Sequence, residues 1–94
     1  MEFAMLRISV VTDTDATTVK LEGKLLRPWC DAVLETCRRA ESTDGLPVRL
    51  DLYDVDFLDD DGVALIRMLR DASERITLGR CSNFVAELLQ TEDV

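Results

Sequence analysis

The sequence predicts an α/β fold, a single domain in which a four-stranded mixed sheet carries helices mainly on one face. Segments in which apolar and polar residues alternate, typical of strands, are interleaved with segments of helical periodicity in the order ββαβαβα. Alternating strands indicate a sheet with one packed face and one face at least partly in water. Because crossovers between parallel strands are right-handed, helices on one side require the strand order 1-2-3-4, with the first strand antiparallel.

The first half of the chain predicts a hairpin followed by a helix. Two alternating runs flank the polar loop TDTDAT, and their apolar positions are Leu6, Ile8, Val10, Val19 and Leu21. Pro28 then opens a helix at a position where a missing amide hydrogen is harmless, and Gly45 and Pro47 end it. The apolar stripe of this helix consists of Trp29, Ala32, Val33, Cys37 and Ala40.

The second half predicts a strand at 48–53, a helix at about 60–75, a short strand at 76–79 and a last helix at 82–90. The apolar positions assigned to the two helices are Leu65, Ile66, Leu69, Ala72, Phe84, Val85, Leu88 and Leu89. We expect one domain over 1–94, with its core at about 5–89 and a frayed tail at 91–94.

Composition excludes several functions. Nineteen acidic residues against eleven basic ones give a net charge of -8, which repels nucleic acid and anionic membrane surfaces. The absence of histidine rules out Ser-His, Cys-His and imidazole-metal sites. No apolar run approaches the roughly 20 residues of a membrane span, so no direct membrane insertion is expected. Three cysteines without CxxC spacing favour a reducing cytoplasm and structural thiols.

The candidate site is the acidic stretch VRLDLYDVDFLDDDG at 48–62, which delivers Asp59, Asp60 and Asp61 to the start of a helix. An aspartate can cap a helix, and each acid in the first turn contributes about 0.3–1 kcal/mol. Unit charges about 6 Å apart in water repel by about 0.7 kcal/mol, which nearly cancels that benefit for three together. Capping therefore explains one or two of the three aspartates. That the acidic stretch is purely structural, or simply a solvated face, remains an alternative to a functional site.

Metal binding and phosphoryl chemistry are two further alternatives. Spacing excludes an EF-hand, since Phe57 and Met68 fall at ligand positions, whereas a looser Mg²⁺ site from Asp56, Asp59 and Asp60 stays open. Asp54-Val-Asp56 resembles the nucleophile motif of haloacid dehalogenases, but the chain is far shorter than that fold. A metal-assisted aspartyl-phosphate enzyme using Asp54, Asp56 and Asp59 is thus the enzyme-class hypothesis. A response-regulator receiver would need a lysine from another strand.

The order of elements, the length and the phrases EGKL and LDLYDVDFLDDDG resemble the STAS domain, named for sulfate transporters and anti-sigma factor antagonists. The resemblance covers roughly 5–89. In that family the loop reads Asp-Ser-Ser or Asp-Ser-Thr and then Gly, and a partner kinase phosphorylates the first serine. Asp59 and Gly62 match this pattern, and Asp60 stands at the phosphoacceptor position. Residues 59–61 carry no hydroxyl, so Asp60 is either a partial phosphoserine mimic, which holds the loop in a phosphorylated-like state, or a lost phosphosite in a loop that is no longer a switch.

The resemblance implies a cytoplasmic bacterial protein-interaction module of the anti-sigma factor antagonist type, not an enzyme, without cofactor or resident metal. Its partner would be a kinase-like anti-sigma factor or a transporter subunit, and the alternative is an accessory subunit of a lipid-transport ABC permease. Homodimerisation through the sheet face or an edge strand is a third hypothesis. The residues expected to bind the partner are Leu58, Asp59, Asp60, Asp61, Gly62, Arg67 and Arg70.

Overall fold

The seven elements occur in the predicted order, in a computed structural model that describes residues 5–72 and 74–91. They are β1 (Leu6–Thr12), β2 (Thr17–Leu25), α1 (Arg27–Asp44), β3 (Val48–Leu58), α2 (Asp60–Ala72), β4 (Ile76–Cys81) and α3 (Asn83–Thr91). The sheet order is β1-β2-β3-β4, with β1 antiparallel to β2 and the other neighbours parallel. The predicted α/β fold class and strand order are confirmed. Residues 92–94 of the expected frayed tail lie outside the described residues.

One apolar core joins the packed face of the sheet to all three helices. Its fully buried side chains include Val19, Leu21, Val33, Leu50, Leu52, Ile66 and Val85. Three residues assigned to the packed face are instead exposed. Val10 is 50% exposed toward the end of the edge strand β1, and Ala72 is the last residue of α2. Phe84 is 38% exposed because it lies in the first turn of α3, where its ring packs on another aromatic ring.

α1 begins and ends where its sequence signals indicate. Leu26 precedes it in an extended conformation without a side-chain cap, and Pro28 lies in the first turn, where its lack of an N–H costs no helical hydrogen bond. Gly45 ends the helix with a φ of 67°, in the left-handed region that glycine adopts without steric cost.

β3 is longer than the alternation indicates, because it continues through two irregularities. Its register against β2 shifts twice, each time with one extra residue in β3, so the buried positions after Leu52 are Val55 and Leu58. Strict alternation stops near Tyr53, and the predicted strand stopped there too. β4 likewise continues to Cys81 with an extra residue against β3, whereas α2 ends at Ala72 instead of at 75.

Candidate functional site

The acidic loop lies at the edge of the sheet where the parallel strands end. Each of β2, β3 and β4 is followed directly by a helix, so the three helices begin at the same edge. Helix starts expose backbone N–H groups that lack a partner within the helix. The segment between β3 and α2 therefore lies beside the start of α1 and near the start of α3.

Asp59 caps two helices with one carboxylate. Its Oδ1 accepts a hydrogen bond from the Gly62 N–H at 2.7 Å, which is the N-cap interaction of α2. Its Oδ2 accepts from the Arg27 N–H at 2.8 Å, at the start of α1. The backbone adds a third connection, because the Asp59 N–H donates to the Leu25 carbonyl at 3.3 Å. Asp59 thus fixes the start of α2 against the end of β2 and the start of α1.

Gly62 is required by the close approach of these two segments. A Cβ at this position would lie 2.6 Å from the carbonyl oxygen of Leu25 and 3.3 Å from Oδ1 of Asp59. The nearest obstacle is backbone, which cannot rotate away as a side chain can. The match of Asp59 and Gly62 to the family pattern therefore has a structural reason in this chain.

Asp60 and Asp61 point their charges into solvent at the first turn of α2. Asp61 forms a loose ion pair with Arg27, with 3.8 Å between Oδ2 and Nε and both side chains mostly exposed. Within residues 5–72 and 74–91, no hydrogen bond or ion pair holds the carboxylate of Asp60. Both charges benefit from the helix dipole, and the only local contact of either that the described residues show is the loose ion pair of Asp61.

The other residues expected to bind a partner are more dispersed. Leu58 is buried in the core with 5% exposure, and Gly62 is buried beneath the helix start. Arg67 is half-buried, seven residues along α2 from Asp60, a rise of about 10 Å. Arg70 lies one turn further, and its Nε bonds Oδ1 of Asp71 at 3.1 Å. The structure brings together the segment 58–62 and leaves the two arginines farther along the helix.

The acids upstream of the loop are neutralised from neighbouring strands. The pairs are Arg80–Asp51 at 3.0 Å, Lys20–Asp54 at 3.1 Å and Lys24–Asp56 at 3.6 Å. Asp54 and Asp56 thus each have a basic partner on β2, while Asp59 is engaged in capping. Across the described part of the chain, no group of three or more acidic or cysteine side chains is arranged to hold a metal ion.

Asp51 is a buried carboxylate on the otherwise open face of the sheet. Burial would raise the pKa of Asp51, but the Tyr53 N–H and the Arg80 guanidinium outweigh burial and hold that pKa below its ordinary value. Arg80 also lies over the Tyr53 ring, 4.8 Å from its centroid. These contacts hold β4 against β3 and do not resemble a reactive centre.

The three cysteine thiols are free, and their environment makes them poor nucleophiles. Burial, assisted by Asp59, Asp61 and Asp31, raises the pKa of Cys30 to about 11. Burial likewise raises the pKa of Cys37 to about 11 and that of Cys81 in the same direction. Thiols of this kind are protonated at neutral pH, which agrees with a structural role.

Two surface features near the loop were missed by the sequence analysis. The first is an open groove of about 560 Å³ between α1 and α2, lined by residues that include Arg27, Asp61 and Met68. The second is an exposed aromatic pair, Phe57 and Phe84, with ring centroids 6.2 Å apart and an interplanar angle of 20°. Phe84 had been assigned to the core by its helical spacing, and Phe57 lies where the alternation of β3 breaks down.

No protein-family model matches the sequence, and no curated protein matches it. The fold is similar to that of the anti-sigma-factor antagonist STAS domain from Rhodobacter sphaeroides, with a TM-score of 0.63 and 16% identity over 92% of this chain and 96% of that one. It is also similar to an uncharacterized DUF3478-family protein with a SpoIIAA-like fold from Shewanella loihica PV-4. There the TM-score is 0.59 and the identity 11%, over 99% of this chain and 81% of that one.

The fold therefore places the chain among α/β domains with a mixed four-stranded sheet. More specifically, the chain has the fold of the STAS domain, which is also described as SpoIIAA-like. This is the fold that the sequence resemblance predicts. Among the residues that the structure describes, no helix is both long and apolar enough to cross a membrane.

Proposed function

We propose that this chain is a non-enzymatic regulatory module of the anti-sigma-factor antagonist kind, acting in the bacterial cytoplasm by binding a protein partner. The docking surface is the segment 58–62 together with the exposed side of α2 that carries Arg67 and Arg70. Leu58, Asp59 and Gly62 shape this surface from below, and Asp60 and Asp61 make the contacts. The fold shared with an anti-sigma-factor antagonist supports the general kind of function.

The observation that carries the proposal is the division of roles among the three aspartates. Asp59 is engaged in two helix caps, whereas Asp60 and Asp61 are exposed at the positive end of the α2 dipole. Two exposed acids beside each other add little to stability by themselves, because their repulsion offsets the dipole contribution. A basic patch or a helix start on a partner would use both charges, and binding would then weaken as salt screens them.

Asp60 holds the regulatory position of this proposal. By the family resemblance it replaces the phosphoacceptor serine, and residues 59–61 offer a kinase no hydroxyl. Aspartate supplies one negative charge and two acceptor oxygens, against about -1.5 to -2 and three for phosphoserine. The module would thus stay in a state that resembles the phosphorylated one in part, and kinase activity would not switch it at this loop.

A pull-down from the source bacterium tests the proposal. The tagged chain is compared with the double variant Asp60→Ala/Asp61→Ala and with the matched double variant Asp15→Ala/Glu74→Ala. The control removes two exposed acids at the opposite edge of the sheet, so both variants have the same net charge. We expect partner recovery to fall roughly fivefold or more with the first variant and to change little with the second.

Equal recovery with the two double variants would exclude the acidic loop as the docking element. Mass spectrometry of the recovered protein separates a kinase-like anti-sigma factor from a subunit of a lipid-transport permease. Light scattering of the purified chain over a range of concentrations separates a hetero-complex from the homodimer hypothesis. Thermal melts of each variant exclude loss of the fold as the cause of any change.

A further inference from the structure

The stacked pair Phe57 and Phe84 is an apolar patch at the same edge of the sheet as the acidic loop. The two rings are 41% and 38% exposed and stack on each other at the surface. Lys24 lies 5.9 Å from the Phe57 centroid and pairs with Asp56 at 3.6 Å, so these two charges balance each other. Asp60, whose carboxylate has no hydrogen bond or ion pair within the described residues, follows Phe57 by three residues, so their Cα atoms lie at most about 10 Å apart.

We propose that this aromatic patch and Asp60 together receive an amphipathic, basic helix of a partner protein. The inference rests on the proposed docking function and specifies the partner's chemistry. Exposed aromatic side chains that are rigid and stacked are typical anchors of protein interfaces. An apolar side chain of the partner would cover the rings, and a lysine or arginine one or two turns away on the same face would meet Asp60.

A helix fits this patch better than a strand does. β3, which carries Phe57, is paired on both sides, with β2 and with β4, so it has no free edge for an added strand. α3, which carries Phe84, presents only side chains. On a helix, residues seven apart lie on one face about 10 Å apart, a spacing of the same order as the limit of about 10 Å between the Cα atoms of Phe57 and Asp60. The net charge of -8 disfavours nucleic acids and anionic lipid surfaces as alternative ligands.

NMR titration of the isotope-labelled full chain tests the inference with two synthetic peptides. One is a helix of leucine and lysine about four turns long, and the other has glutamate in place of each lysine. With the lysine peptide we expect shifts of the backbone amides of Phe57, Asp60 and Phe84, and with the glutamate peptide none. Phe84→Ser should weaken lysine-peptide binding about tenfold, whereas Phe84→Tyr should retain most of it.

Val11→Ser is the matched control, because Val11 is 64% exposed and lies at the opposite edge of the sheet. Its affinity should stay within about twofold of the parent chain. The inference is overturned if the shifts cluster elsewhere, if both peptides bind equally, or if Phe84→Ser binds as tightly as the parent. Shifts at Asp60 without shifts at the aromatic residues would overturn it and leave docking by the acidic loop intact. The dispersion of each variant's spectrum reports whether the fold is kept.

Discussion

Replacing Asp59 by alanine removes the acceptor of two backbone N–H groups that belong to different helices. The Gly62 N–H lies at a buried position and loses its 2.7 Å partner, which costs about 1–3 kcal/mol for an unsatisfied buried donor. The Arg27 N–H is more exposed, so water replaces the carboxylate at a cost of about 0.5–1 kcal/mol. We therefore expect Asp59→Ala to lower the free energy of unfolding by about 1.5–4 kcal/mol.

A loss of that size is a large part of the stability of a domain of this length, which is typically about 5–10 kcal/mol. Each kcal/mol shifts the melting temperature of such a domain by about 4–8 °C, so the variant should melt about 6–32 °C lower. Urea denaturation gives the free energy directly, and the single tryptophan, Trp29 in α1, provides a fluorescence signal beside circular dichroism.

Two variants isolate the cause. Asp59→Asn keeps one carbonyl oxygen as an acceptor and should lose roughly half as much stability as Asp59→Ala. Asp60→Ala removes an exposed neighbouring charge and should change stability by less than about 0.5 kcal/mol. Both Asp59→Ala and Asp60→Ala remove one negative charge, but only Asp59→Ala removes the two hydrogen bonds to backbone N–H groups. Equal stability of the two variants would therefore refute the double-cap interpretation.

Three further outcomes are expected. Gly62→Ala should cost about 1–3 kcal/mol by driving a methyl group into the Leu25 carbonyl, and a gain in the urea midpoint from helix propensity would contradict this. Asp51→Asn should lose about 1–2 kcal/mol at pH 7 and less at pH 3. Because folding lowers the pKa of Asp51, its ionised carboxylate stabilises the fold fully above about pH 5. This stabilisation is lost as the pH falls through the folded-state pKa, so an equal loss of stability at both pH values would contradict the expectation. Cys30, with a pKa of about 11, should react with Ellman's reagent far more slowly in the native protein at pH 8 than in urea, and rapid native labelling would show otherwise.

The sequence predicted the order of elements and the strand order well, because both depend on local periodicity and on the handedness of crossovers. It predicted the length of β3 poorly. Periodicity identifies a strand only while the register is regular, and the two extra residues of β3 change the spacing of buried positions from two to three after Leu52. The exposed Phe84 has a similar cause, since helical spacing cannot reveal that its ring, in the first turn of α3, packs on Phe57 at the surface and not in the core.

The acidic stretch lies at a helix start, as its sequence indicates, but the partners of its residues were not foreseeable from it. Asp59 was expected to cap one helix, and its second bond reaches an amide 32 residues earlier. The acids Asp54 and Asp56 have no base nearby in sequence, yet each is paired by a lysine on β2. Such contacts follow from which strands are neighbours and in which register, which the local pattern does not contain.

The double cap also bears on how fast a partner would bind. Because Asp59 ties the start of α2 to the end of β2 and the start of α1, the backbone that carries Asp60 and Asp61 is held in place before any encounter. A preorganised surface loses little conformational entropy on association. Binding would then proceed without a slow rearrangement of this loop, and long-range attraction between charges would set its rate, with a steep dependence on ionic strength.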